Sequence, residues 1–352
     1  MVEPFVSPST PLEPLKFNGR PIRVMQMCAV DFTVKQFLLP LATALRARGA
    51  EVIISCAKGP YYDDIVGAGF RFIDNPISRN ANVLHHARSL WKTFRLLKSI
   101  KPDVVHVHTP VAALICRLAA RLAGVPLIIY TAHGFYFHDG MKPWLRRALI
   151  TLEKFGARCG HFIMTVSAED QQAALQLGIA KANQVETIFN GVDTVRFSRS
   201  RFSDENRNEI RGKYGIAPDA PVIGIVGRMV REKGFFELFR AARVILDKVP
   251  EARFMIVGDV LPSDYDGSKK EILQLVDSLN IRQAVAFTGL VDDTAPYLAA
   301  MDVFALPSYR RDARIVAGSN GHGVARGGNR HPWLQGGGCG RGNGLVSPRA
   351  GF

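Results

Sequence analysis

At 352 residues with 47% apolar side chains, the chain is long enough for two hydrophobic cores and too apolar for a disordered or fibrous polymer. Its formal charge of +14 draws on six arginines against one aspartate from Arg311 onward, and no helix-turn-helix, zinc-finger or RNA-binding aromatic signature accompanies it, which argues against a nucleic-acid partner. Cys28, Cys56, Cys116, Cys159 and Cys339 lack metal-type spacing, and the first three fall in apolar strand or helix patterns, as expected of a reducing cytoplasm.

Residues 1–20 are rich in proline and lack a basic stretch followed by an apolar run, so a loose arm is expected there and not a signal peptide. From Pro21 the pattern becomes regular. Strand Ile22 to Cys28, a helix near Thr33 to Arg48, strand Glu51 to Cys56, a short helix near Asp63 and strand Phe70 to Asp74 form a βαβ series. The series continues with helix Leu84 to Ile100, strand Val104 to His108, helix Val111 to Ala123, strand Leu127 to Thr131, helix Pro143 to Ala157 and strand Phe162 to Val166. Helix Ala168 to Leu177 and strand Val185 to Ile188 complete it. Continuous apolar strands predict a parallel sheet covered on both faces. The most apolar stretch, Val111 to Tyr130, is interrupted by Arg117 and Arg121 and fits a buried helix and strand better than a bilayer crossing.

Within Leu84 to Ile100, Leu90, Trp91, Phe94 and Leu97 share one helical face while His85, His86, Arg88, Lys92, Arg95 and Lys98 cover the rest. Such a helix can pack on a sheet through its apolar stripe or lie on anionic lipid, and both uses stay open at this point.

The polar stretch Asn190 to Ala220 is dense in charge and poor in apolar periodicity, so residues 191–220 are expected to link two domains. A second alternation follows: strand Val222 to Val226, helix Phe235 to Leu246, strand Arg253 to Val257, helix Lys270 to Leu279, strand Val285 to Thr288, helix Thr294 to Ala300 and strand Val303 to Leu306. The expected class is therefore α/β, with Rossmann-like domains over residues 21–190 and 221–310 facing a cleft.

Chemistry concentrates where Val222 to Val226 runs through Gly227-Arg228-Met229-Val230-Arg231-Glu232-Lys233-Gly234 into a helix. Gly227 lets backbone approach a ligand, a helix N-terminus offers unpaired N–H groups, and Arg228 and Lys233 supply a fork and a point charge for phosphate oxygens. In the first domain, Thr131-Ala132-His133-Gly134 ends a strand at the carboxyl edge of the sheet, so His133 points to where open α/β sheets bind ligands and could donate a hydrogen bond to a sugar hydroxyl or to developing charge. His106 and His108 alternate along a buried strand with no carboxylate or cysteine cluster beside them, so they are expected to be structural or cleft-lining, and no metal site is expected.

Taken with Val166-Ser167-Ala168 and Ile188-Phe189-Asn190-Gly191-Val192-Asp193, the order and spacing of these motifs resemble the family 4 glycosyltransferases of the GT-B fold. The resemblance spans roughly Ile22 to Arg310 and is nearest to bacterial enzymes of capsule, exopolysaccharide or lipid-linked glycan assembly. It implies a retaining transferase that takes a nucleotide-diphosphate sugar, in particular a UDP-sugar, and needs no cofactor. Arg228 and Lys233 would hold the donor diphosphate and His133 would contact the donor sugar, while Gly258, Thr288-Gly289-Leu290 and Ser308-Tyr309 fall where the family lines the nucleotide cleft. The acceptor would be lipid-linked or a polysaccharide, with the protein cytoplasmic or peripheral at the inner membrane face. A UDP-sugar epimerase of similar shape should carry carboxylate clusters that are missing here, and a non-catalytic remnant that binds acceptor or membrane is the other alternative.

After Arg310 the periodic segments give way to Gly-, Arg- and His-rich sequence in which no strand or helix can be read. The family resemblance calls for an acidic residue, seven others and a glutamate just beyond Ser308-Tyr309-Arg310, and this pair is missing. Codons for Gly318-Ser319-Asn320, read one base later, permit Glu-Ala-Met, and the same shift from Arg311 permits further family-like sequence without forcing a stop. A frameshift close to Arg310 is expected, making residues 311–352 an out-of-frame tail and leaving the second domain incomplete and the activity impaired.

Overall fold

The computed structural model describes residues 13–77, 83–138, 140–191, 193–260, 267–308 and 325–327. Contacts divide the chain between Phe189 and Asn190 into two compact units.

The first unit opens with an antiparallel pair, β1 (Lys16–Phe17) and β2 (Arg20–Pro21). Its body is a parallel sheet of β3 (Arg23–Val30), β4 (Glu51–Ala57), β5 (Arg71–Asp74), β6 (Val104–His108), β7 (Leu127–Ala132), β8 (Phe162–Thr165) and β9 (Val185–Thr187). The order is β5-β4-β3-β6-β7-β8-β9, so the direction of winding reverses between β3 and β6, where ligands of open α/β sheets bind. All five positions of β6 are buried, as expected of a central strand covered on both faces.

Between β3 and β4 the chain runs through α1 (Asp31–Thr33), a π-helical turn at Val34–Leu38 and α2 (Leu39–Ala47). Pro40, which has no N–H to give, falls in the first turn of α2, just past the widened turn. The remaining helices are α3 (Tyr62–Gly67), α4 (Val83–Ile100), α5 (Pro110–Ala123), α6 (Pro143–Cys159) and α7 (Ala168–Gln176). Helix α5 packs on both α4 and α6. The α5–α6 contact encloses an ion pair, Arg117 Nη2 to Glu153 Oε2 at 3.0 Å, with the Arg117 guanidinium 4.3 Å from the centre of the Tyr130 ring.

Residues 13–20, expected to belong to a loose arm, are tied down. Leu15 N–H donates to Arg48 O, and Arg20 clamps the Asp103 carboxylate with two bonds of 2.8 Å. That guanidinium, opposing the desolvation of the carboxyl, holds the Asp103 pKa below its ordinary value.

The second unit carries α8 (Asp204–Lys213), β10 (Val222–Val226), α9 (Phe235–Leu246), β11 (Arg253–Val257), α10 (Ser268–Ser278), β12 (Val285–Gly289), α11 (Ala295–Ala300), β13 (Val303–Ala305) and β14 (Ala325–Gly327). Its strands form a second parallel sheet of order β12-β11-β10-β13-β14, with buried apolar clusters centred on Phe235 and Phe239 and on Met255 and Phe304. Strand β14 lies in the stretch for which the sequence reading offers no element. The rest of the 311–352 tail, with the proposed frame change, lies outside the described residues.

Helix α8 occupies the stretch expected to be linker. Ser203 and Asn206 form a capping box at its start. It is buried through cations: Arg207 Nε donates to Ala299 O and Arg211 Nε to Ala300 O, while Arg211 Nη2 meets Asp302 Oδ2 at 2.9 Å. A helix that docks through arginines has no apolar stripe, so periodicity passes it over.

Candidate active site

Every described residue anticipated for donor binding stands at the carboxyl edge of the second sheet. Gly227 follows β10, Gly258 follows β11, Gly289 ends β12 and Ser308 comes just after β13. Backbone bonds lace these ends together: Gly227 N–H donates to Val257 O and Gly258 N–H to Gly289 O, both at 2.9 Å. Gly258 has φ +121°, and a side chain there would run into the carbonyl oxygen of Gly227. Gly227 itself is not forced by sterics, since an added Cβ would meet only the Lys233 stem at 3.7 Å. Close packing of these strand ends therefore depends on Gly258 more than on Gly227.

The cations ride on the turn that follows. Arg231–Lys233 form one 3₁₀ turn, and Gly234, in the left-handed region at φ +76°, reverses the chain into α9. A Cβ at Gly234 would strike the Pro307 carbonyl, so turn and β13 exit are packed backbone to backbone. Ser308 Oγ donates to Glu232 O at 3.0 Å, which assigns this hydroxyl to holding the turn. Lys233 is buried, its stem along Gly227. Arg228 is 41% exposed and reaches Glu232 Oε1 at 3.2 Å. An exposed pair of this kind is worth at most about 1 kcal/mol.

Leu290 is well exposed beside Gly289, while Tyr309 lies outside the described residues. Arg231, Phe236, Glu237 and Arg240 line a cavity of about 330 Å³ on the first turns of α9.

In the first unit, three imidazoles meet at the carboxyl ends of β6 and β7. His106 Nε2 lies 2.7 Å from Thr131 Oγ1, and the His106 and His108 rings are 4.2 Å apart. His108 Nδ1 is 3.2 Å from His133 Nε2, and His108 Nε2 is 2.9 Å from Gln26 Oε1 of β3. Phe37, from the π-helical turn, sets its ring 5.3 Å from that of His133. Burial, reinforced by His133, pushes the His106 pKa down to about 3, and burial with both neighbouring imidazoles drives His108 well below its ordinary value. Both rings are therefore neutral at physiological pH. Directly after His108, Thr109 takes φ +68°, a costly conformation for a β-branched residue of the kind that collects at functional sites.

Among the described residues no group of three or more His, Cys, Asp or Glu is arranged to hold a metal ion. No helix of the described residues is long and apolar enough to cross a membrane.

Comparisons with known proteins fit both halves of this arrangement. Residues 33–191 match the glycosyl transferase 4-like domain, and residues 220–319 match the glycosyl transferases group 1 domain, which runs past Arg310. The chain is 30% identical, over 262 residues, to an Escherichia coli UDP-Gal:alpha-D-GlcNAc-diphosphoundecaprenol alpha-1,3-galactosyltransferase, covering 73% of this chain and 65% of the relative. It is 27% identical to the Staphylococcus aureus capsular polysaccharide biosynthesis glycosyltransferase CapM, covering 67% of this chain and 60% of the relative. The chain thus spans less than two thirds of the length of these relatives. Among solved structures, Anabaena Alr3699/HepE in complex with UDP and glucose superposes with a TM-score of 0.74 at 18% identity, over 89% of this chain and 82% of that one. Two parallel α/β sheets, the glycine-edged cation turn and the matched domains together make this chain a member of the family 4 glycosyltransferases, with the GT-B fold.

Proposed function

We propose that this protein transfers a hexosyl group, with retention of anomeric configuration, from a nucleotide-diphosphate sugar to a lipid-linked or polysaccharide acceptor in cell-envelope glycan synthesis. A UDP-sugar is the first donor to test, because UDP appears both in the name of the Escherichia coli relative and in the HepE complexes. The observation that carries the reading is the turn from Arg228 to Lys233, where an exposed guanidinium and a buried ammonium flank glycine strand ends at the mouth of α9.

Such a site binds the diphosphate in the ground state and gains most as the glycosidic bond breaks and charge develops on the departing β-phosphate. Fixed cations and helix N–H groups need no reorganisation at that moment. Arg228 serves as the fork that grips two oxygens and Lys233 as a point charge. In this reading His133 addresses the donor sugar. The acidic pair that the family resemblance calls for after Ser308 is missing from residues 311–319, so we propose weaker donor binding and slower transfer than in a version with the neighbouring frame restored.

Helix α4 supports a peripheral membrane contact from the cytoplasmic side. Leu84 and Trp91 are exposed, Arg88, Lys92, Arg95 and Lys98 share the helix with them, and residues 83–100 include no acidic side chain. Flotation with anionic vesicles at low and high salt tests this contact: salt-sensitive retention supports it, and equal recovery with neutral vesicles removes it.

Calorimetric titration of UDP and UDP-sugars into the 352-residue chain and the frame-restored version tests the donor reading. Micromolar to millimolar binding that strengthens on restoration is expected. Equal affinity in both would remove the proposed impairment, and binding by neither would remove the donor assignment itself.

A further inference from the structure

Gln26, His108 and His133 are joined by a chain of hydrogen bonds whose direction is set at its buried end. Gln26 lies in β3, fully buried, with Oε1 2.9 Å from His108 Nε2. A carboxamide oxygen can only accept, so Nε2 of His108 carries the proton. A neutral imidazole has one N–H, and His108, only 1% exposed, is kept neutral by burial. Its Nδ1 therefore presents a lone pair to His133 Nε2, 3.2 Å away, and that nitrogen must be the donor.

We propose that Gln26 and His108 are positioning residues that fix His133 as its Nε2–H tautomer, so that Nδ1 meets a substrate hydroxyl as an acceptor. This reverses the polarity expected from sequence, in which His133 donates to the sugar. Strand register builds the relay: β6 pairs with both β3 and β7, and His108 pairs directly with Thr131, two residues before His133. His106 braces it from the side, its ring 4.2 Å from that of His108 and its Nε2 within 2.7 Å of Thr131 Oγ1. A second-sphere partner that selects one tautomer is a common device around functional histidines. The part of this proposal that concerns a sugar hydroxyl rests on the transferase reading, whereas the tautomer itself does not.

Long-range proton–nitrogen NMR on the full chain with ¹⁵N-labelled histidine reads the tautomer without any turnover. The expected spectrum has His133 Nε2 protonated and Nδ1 bare in the wild type, and a mixed population in His108→Phe. Gln26→Leu tests the same relay without touching a ring, and it should release His108 and His133 together. A wild-type spectrum with the proton on His133 Nδ1 overturns the proposal, as does an unchanged His133 signature in both variants. In a transfer assay with UDP-sugar, His108→Phe and Gln26→Leu should each lower kcat about tenfold while KM for the donor stays within about twofold, because the diphosphate grip is untouched. Equal loss in KM alone contradicts positioning. Absence of turnover in the wild-type chain but not in the frame-restored version reflects the impairment proposed above, absence in both counts against the transferase reading, and in either case the NMR result decides the tautomer.

Discussion

In the first unit the candidate chemistry is carried by neutral rings sunk into strands, where His106 and His108 are buried along β6 and answer to Thr131 and Gln26 on its neighbours. In the second it is carried by permanent cations on a turn, with Arg228 partly in solvent and Lys233 tucked along a glycine. Rings inside a sheet are positioned at the cost of coupling them to the stability of the fold. Cations on a turn leave the sheet indifferent to their charge and free to exchange partners. Substitution or acid at the first unit should therefore disturb folding, while substitution at the second should disturb binding.

The largest effect is expected at the buried ion pair between α5 and α6. Glu153→Ala would leave the Arg117 guanidinium, which is 1% exposed, without its carboxylate. A cost of about 3–5 kcal/mol is expected. Trp91 and Trp144 both belong to the first unit, so urea unfolding followed by fluorescence in a Trp333→Phe background isolates that unit. Replacing both partners, as Arg117→Met with Glu153→Leu, should recover most of the loss, since burying an isostere costs less than stranding a charge. A Glu153→Ala variant as stable as the wild type would break the comparison at its base.

Acid provides the next test. His106 has a folded pKa near 3 against an ordinary 6.5, and His108 is displaced in the same direction. Between these values the unfolded chain binds protons that the folded chain refuses. The stabilising contribution is thus complete above about pH 6.5 and falls with pH, at about 1.4 kcal/mol per pH unit for each ring, until the folded value is reached. The urea midpoint reported by Trp91 and Trp144 should drop steeply from pH 7 to pH 5. A flat midpoint over that range would mean that these rings are accessible to protons in the folded state.

How far the sequence foretold each unit follows from the same contrast. Burial on both faces made β10 readable, because a strand so covered spells an apolar run. Arg228 and Lys233 were readable because a strand, a glycine and two cations occur consecutively. The imidazole relay was not, since Gln26 stands 82 residues from His108 and only the β3–β6 register brings them together. Nor could periodicity distinguish the glycines: Gly227 looked like the close approach, while the positive φ and the backbone contact belong to Gly258. The widened turn at Val34–Leu38, which delivers Phe37 to His133, likewise has no period to announce it beyond Pro40.

Variants of the cation turn should sharpen the comparison from the other side. Lys233→Met keeps the stem packed along Gly227 and removes the charge, and Arg228→Ala gives up the exposed pair with Glu232. Each is expected to weaken UDP binding about ten- to a hundredfold, the usual worth of one charge-assisted bond to phosphate, while melting temperature moves by no more than about 2 °C. Calorimetry and a thermal scan on the same samples separate the two readouts. Loss of stability with unchanged affinity would turn these residues into structural ones.

The smallest expected effect concerns α8, the helix that composition concealed. Ser203 Oγ accepts from Asn206 N–H at 3.3 Å, and Asn206 Oδ1 accepts from Ser203 N–H at 3.2 Å, so both sides of the capping box form. Ser203→Ala should cost about 1 kcal/mol, which is about a fivefold rise in amide hydrogen exchange in the first turn of α8. The C-terminal turn, held by Arg211 to Asp302, Ala300 and Pro218, should exchange as before. If exchange rose along the whole helix, its stability would depend on the cap and not on the buried arginines. An unchanged first turn would mean that Arg207, which reaches both Asp204 and Ala299, holds the N-terminus without Ser203.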